Sequence, residues 1–169
     1  MKKIGIILWI AITLAGCGNN SESKTESGET TDSTVSAKKD SIAYTKNDLV
    51  KIKWIEGKWR GMYKGKPFYE IYVMTNDSTL EITSFEWDGK DSSKSDKSFV
   101  SWKNGAYYLG HMMNYKVTEI SDKHIKMLPN NLASNDVLWK YVNDNRWDAI
   151  LVAKDNTNEY HMERFDPFR

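Results

Sequence analysis

Tyr69-Glu70-Ile71-Tyr72-Val73-Met74-Thr75-Asn76-Asp77-Ser78-Thr79-Leu80-Glu81-Ile82-Thr83 is the stretch whose reading decides the fold class. Tyr69, Ile71 and Val73 alternate with Glu70, Tyr72 and Met74, and Leu80 and Ile82 alternate with Glu81 and Thr83. A repeat of two residues is the signature of a strand, and Thr75-Asn76-Asp77-Ser78 between the two runs is turn chemistry, so the segment reads as an antiparallel hairpin. Similar runs lie on either side, at 59–63, 99–102, 106–112, 115–120, 124–128, 137–142, 147–153 and 159–165. Between them stand the turn clusters Asp88-Gly89, Asn104-Gly105, Asn130-Asn131, Asn143-Asp144-Asn145 and Asp155-Asn156-Thr157-Asn158. Roughly ten strands, one about every eleven residues, form an antiparallel meander. Many runs carry large apolar groups on both faces, as in Phe68-Tyr69 and Tyr107-Tyr108. A sheet with one solvated face would alternate more cleanly. The expected fold is therefore all-β: a small, closed or nearly closed up-and-down barrel of about eight to ten strands, which buries an interior and removes sheet edges. A two-sheet β-sandwich is the alternative that periodicity leaves open.

Upstream of the strands, Thr45-Lys46-Asn47-Asp48 resembles a capping box. Leu49, Ile52 and Ile55 recur every third residue, and Gly57 stands where a helix would end. A short helical turn should thus precede the first strand. The domain, residues 45–169, holds nearly all the aromatic residues: of seven tryptophans, nine tyrosines and five phenylalanines, only Trp9 and Tyr44 precede it. Residues 18–43 contain no aromatic residue, and Val35 and Ala37 are nearly their only apolar side chains before Ile42. Such a composition cannot offset chain entropy by burial. Residues 17–44 are expected to form a disordered tether.

Lys2 and Lys3, an apolar run at 4–14, and small residues before Cys17 make residues 1–16 read as an export signal. The run rises only about 16 Å as a helix, too short to span a bilayer core. Leu14-Ala15-Gly16-Cys17 resembles the bacterial lipobox, and Cys17 is the chain's only cysteine. That resemblance implies acylation of Cys17, a partnership with the lipid bilayer through its acyl chains, and a place in the cell envelope. Gly18 is not the aspartate that retains many lipoproteins at the inner membrane, which favours the outer membrane. Without residues 1–16 the 24 basic residues fall to 22, against 23 acidic ones. This near balance argues against a nucleic-acid binder, which wants a basic stripe.

Trp54-Ile55-Glu56-Gly57-Lys58-Trp59-Arg60-Gly61 is similar to the Gly-x-Trp opening of lipocalin-like (calycin) barrels. The resemblance implies that Trp59 plugs the closed end of the barrel, with Gly57 and Gly61 beside it. It also implies that Arg164, on the last strand, packs across the indole, an arrangement with a sound electrostatic basis. Trp59-Arg60-Gly61 followed by Gly65 also resembles the opening of haem-binding nitrobindin-type barrels, which implies His161 as an axial ligand. Strand parity opposes this: if Arg164 points inward, so do Met162 and Tyr160, and His161 points out.

Catalytic signatures are missing: the sequence has no His-Glu-x-x-His, no Gly-x-Ser-x-Gly and no phosphate-cradling glycine loop. His111, His124 and His161 fall in separate strands. Glu70, Glu81, Glu86 and Glu163 would supply a carboxylate pair only if they faced inward, and alternation favours the outer face. Asp155, Thr157 and Glu159 alternate like calcium ligands but lack the EF-hand pattern and read as a hairpin tip. No enzyme, cofactor or metal is expected. Trp87, Trp102, Tyr107, Trp139, Tyr141 and Trp147 are the candidate pocket residues, since aromatic walls with polar tips suit a small apolar or amphipathic ligand. The expected function is ligand binding by a membrane-anchored lipoprotein. The alternative is a solid scaffold that serves an envelope protein partner through its surface.

Overall fold

The computed structural model describes residues 43–87, 90 and 92–166, with the backbone alone at 92–95. Cys17, the export signal and most of the tether lie outside the described residues. The chain runs through a 3₁₀ segment, Asp48–Ile55, and ten strands: β1 (Gly57–Tyr63), β2 (Lys66–Asn76), β3 (Thr79–Trp87), β4 (Ser92–Lys103), β5 (Ala106–Leu109), β6 (Tyr115–Ile120), β7 (His124–Pro129), β8 (Asp136–Asn143), β9 (Arg146–Val152) and β10 (Thr157–Arg164). Each strand pairs antiparallel with its sequence neighbour, and β1 pairs with β10 to close the barrel. The closing register sets Trp59 opposite Arg164 and Arg60 opposite Glu163. Closure excludes the sandwich.

The spacing of three in Leu49, Ile52 and Ile55 matches three residues per turn, and the segment is 3₁₀ rather than α. All three side chains are fully buried, each contributing about 1.5–3 kcal/mol by leaving water. The Asp48 carboxylate reaches back to accept from Thr45 N–H at 2.6 Å and Thr45 Oγ1–H at 2.9 Å. Tyr107 projects into this end, donating to the Lys46 carbonyl at 2.6 Å and accepting from Leu49 N–H at 3.4 Å.

Up-and-down connectivity sends alternate turns to opposite ends. The 3₁₀ segment shares its end with the turns at 77–78, 104–105, 121–123 and 144–145, which are cross-linked by backbone bonds such as Trp102 N–H to the Ser78 carbonyl and Tyr141 N–H to the Lys123 carbonyl. Trp59 fills this closed end: its indole N–H donates to the Ile55 carbonyl at 2.6 Å. The Arg164 guanidinium lies 4.0 Å from its ring centre and donates to the carbonyls of Glu56 and Asp144. A Cβ at Gly57 would overlap that guanidinium, and one at Gly61 would overlap the Phe68 ring and Met162 Sδ. Both glycines are thus set by close approach.

Two strands depart from the sequence reading. β4 begins at Ser92, well before the apolar residues 99–102, because polar backbone can extend a ladder that β3 already templates. β5 stops at Leu109, since Gly110 and Met113 take positive φ and turn the chain.

Candidate functional site

Above the plug the barrel is not filled. A cavity of about 210 Å³ is lined by inward residues of nearly every strand and by the loops at 110–114 and 130–135. Trp147 is its floor. The ring packs edge-on to Trp59 and tilted to Trp54 on the plug side, and against Tyr72 and Trp139 on the cavity side, with centroids 5.5–6.4 Å apart. Phe68 and Tyr160 meet edge to face at 6.0 Å farther up.

The mouth is braced by hydrogen bonds. The Asn114 carbonyl accepts from Asn130 N–H and Asn131 N–H, the Asn130 amide donates to the Met113 carbonyl, and the Tyr115 hydroxyl donates to Asn135 Oδ1. Loops locked in this way pre-form the opening, which reduces the ordering cost of binding.

Register places polar groups inside this apolar shell. Trp59 pairs with Glu70, Glu70 with Ser84, and Ser84 with Asp96, so Glu70, Ser84 and Asp96 form one row across β2, β3 and β4 that faces the cavity. Tyr72 donates its hydroxyl to Glu70 Oε2 at 2.6 Å. Burial pushes the Glu70 carboxyl above its usual range, against the hydrogen bonds from Tyr72 and Ser84. Burial, and then the nearby Glu70 charge, push the Tyr72 phenol well above its ordinary value. Lys97 also borders the cavity but sends its ammonium to Glu81, 2.7 Å away. Three further lining residues carry buried polar atoms without a protein partner: Asn114 Oδ1, Trp147 Nε1 and the Tyr160 hydroxyl. Such groups cost free energy when left unpaired.

The six aromatic candidates divide. Trp139 and Trp147 line the cavity. Trp102, with Lys46 over its ring, and Tyr107 belong to the closed end. Tyr141 packs there too, between Trp54 and the Lys123 ammonium, with its hydroxyl on Asp144. Trp87 joins Phe165 on the outer face, in a cluster with Tyr69 and Phe85. These four are corrected from pocket to packing, because a residue's height along its strand decides between plug and cavity. Glu70 is the opposite correction: it faces in, whereas Glu81 and Glu163 face out to Lys97 and Arg60 and Glu86 is exposed. Phe68, Tyr72, Ser84, Asp96, Asn114 and Tyr160 are lining residues that the sequence reading did not select. The parity of Trp59, carried across the β1–β2 register, is the signal that would have reached Glu70 and Tyr72.

The histidines stand apart. His111 contacts the Lys97 carbonyl, and His124 contacts Ser121 and Glu119. His161 lies outside the barrel beside Asp148, Glu159 and Arg146. His161 thus points outward, as strand parity requires, and the axial-ligand role that the nitrobindin-type resemblance implies is not available to its ring. Asp148, Glu159 and His161 bring ligand atoms within 4.8 Å of one another. However, Arg146 Nε already donates to Asp148 Oδ1 at 2.9 Å, so a cation there would meet a guanidinium.

No protein-family model, no curated protein and no solved structure matches this chain.

Proposed function

We propose that this chain is an exported, lipid-anchored binding protein whose barrel, lipocalin-like in its opening, holds a small amphipathic molecule in its cavity. The observation that carries this reading is the 210 Å³ cavity with Trp147 as its floor, an aromatic wall, and buried polar atoms that lack protein partners. A dry void of about 150 Å³ admits one benzene ring, so this cavity suits a molecule slightly larger than a single ring. The lipobox-like Leu14-Ala15-Gly16-Cys17 supports an anchor at the outer membrane through acylated Cys17. The tether would join the domain at the plugged end, because the described chain enters beside the 3₁₀ segment.

Binding is favoured over catalysis because the histidines lie outside the cavity and on separate local partners. Among the described residues, no imidazole is therefore available in the lining to shuttle a proton.

Native mass spectrometry of the full-length protein, extracted from its own membrane in mild detergent, tests the reading. It should show an N-terminal mass carrying acyl chains that is lost in Cys17→Ser, together with a retained small molecule. Protein that leaves the membrane without a ligand, takes up no added amphiphile and crosslinks to one envelope protein would refute it in favour of the scaffold.

A further inference from the structure

The described lining of the cavity combines aromatic walls with the acidic side chains Glu70 and Asp96. Glu70 and Asp96 stand on either side of Ser84 in one row. Among the described lining residues the only basic one, Lys97, turns its ammonium away to Glu81. The hydrogen-bond donors to Glu70 among the described residues, Tyr72 and Ser84, are both neutral. A carboxyl taken out of water either keeps its proton or meets a cation, and a cation beside it favours the charged form.

A second, independent observation points the same way. Asn114 and Tyr160 are each more than nine-tenths buried, line the same space and present unpartnered polar atoms. Asn114 Oδ1 and the Tyr160 hydroxyl are acceptors for an N–H donor.

A bound metal ion fits poorly. Glu70 and Asp96 are two strands apart, about 9.5 Å between backbones at the usual strand spacing. Their ligand atoms do not belong to the cluster of three ligating groups found among the described residues. An organic ammonium is larger, and its positive charge is also attracted to the faces of Tyr72, Trp139 and Trp147.

Resting on the binding reading above, we infer that the cavity selects a small organic ammonium ion: a protonated amine directed at Glu70, carrying an apolar body of about one ring. Glu70 accepts the charge-assisted hydrogen bond, Asp96 adds negative potential from the other end of the row, and the tryptophans enclose the body.

Isothermal titration of the full-length chain in detergent with 2-phenylethylammonium, 2-phenylethanol and phenylacetate tests this. The three probes share a ring and differ in charge. The ammonium should bind about tenfold or more tighter than the alcohol, and phenylacetate should bind weakest, as a charge-assisted hydrogen bond to a buried carboxylate implies. Glu70→Gln should remove that preference while leaving the alcohol within about twofold. Asp96→Asn, two strands away from Glu70, should weaken the ammonium by a smaller factor and provides a second reading if Glu70→Gln perturbs folding by near-ultraviolet circular dichroism. Equal binding of all three probes, unchanged in both variants, would overturn the ammonium inference and leave the binding function standing. Failure of all three to bind, with native mass spectra free of any ligand, would overturn both.

Discussion

Ala149→Leu gives the sharpest test of whether the barrel interior is a void or a solid core. Ala149 is buried and lines the cavity, with Trp139 and Tyr160 as its cross-strand neighbours. Three added carbons take up roughly 80 Å³, each a little less than the ~30 Å³ share of a liquid water. Taken from about 210 Å³, that leaves roughly 130 Å³, below the ~150 Å³ void that admits benzene. Titration with 2-phenylethylammonium should therefore lose at least about tenfold in affinity. Stability should respond differently. Filling a real void gains up to about 0.8 kcal/mol per buried CH₂, whereas forcing the same atoms into a packed core costs about 1–3 kcal/mol. Urea unfolding, followed by far-ultraviolet circular dichroism, should thus give a midpoint equal to or above that of the parent chain. A variant that binds the probe as the parent does, or that loses about 2 kcal/mol or more of stability, would refute the cavity.

The plug makes a second prediction. Trp59→Phe removes the indole donor from the buried Ile55 carbonyl and should cost about 1–3 kcal/mol. A double-mutant cycle of Trp59→Leu, which removes the ring, with Arg164→Met should show a coupling of about 0.5–1 kcal/mol, the value for a cation–π pair at a solvent-exposed guanidinium; additivity within about 0.3 kcal/mol would contradict the stacking. The raised Glu70 carboxyl makes the folded state hold its proton to higher pH than the unfolded chain. Its destabilising effect is therefore absent below the unfolded carboxyl range near pH 4.3, and it grows as pH rises through the folded value. Thermal melts of Glu70→Gln should exceed the parent at pH 7 and converge with it near pH 4, and parallel curves at every pH would refute the assignment. For Asp148, burial works to raise the carboxyl, but the hydrogen bonds from Arg146 and His161 outweigh it and hold it below its ordinary range. Its stabilising effect should be present above the unfolded carboxyl value and fade as pH falls through the folded one, so acid titration of Asp148→Asn should lack that fading component.

What could be read in the sequence follows from how local the governing physics is. The alternation in Tyr69–Thr83 reports strand and turn because neighbouring side chains of a strand point to opposite faces whatever the chain does later. Leu49, Ile52 and Ile55 announced a helical turn by their spacing, and they are its buried face. The outward position of His161 followed from parity alone once Arg164 was set inward. Height along the barrel axis is not local. Trp102, Tyr107, Trp139, Tyr141 and Trp147 share the same chemistry in sequence, yet only Trp139 and Trp147 reach the cavity. Which level each ring occupies depends on the registers of all ten strands.

By itself, the sequence determined an all-β meander, a preceding turn of helix, an aromatic-rich domain after an aromatic-poor lead, and the lipobox-like Cys17. Each rests on composition or on contacts between near neighbours. Only the tertiary structure decided that the sheet closes, because the Trp59–Arg164 pairing joins residues from opposite ends of the domain. Closure in turn decided that Glu70, Ser84 and Asp96 share one interior row, since a row across strands is set by registers that no single strand encodes.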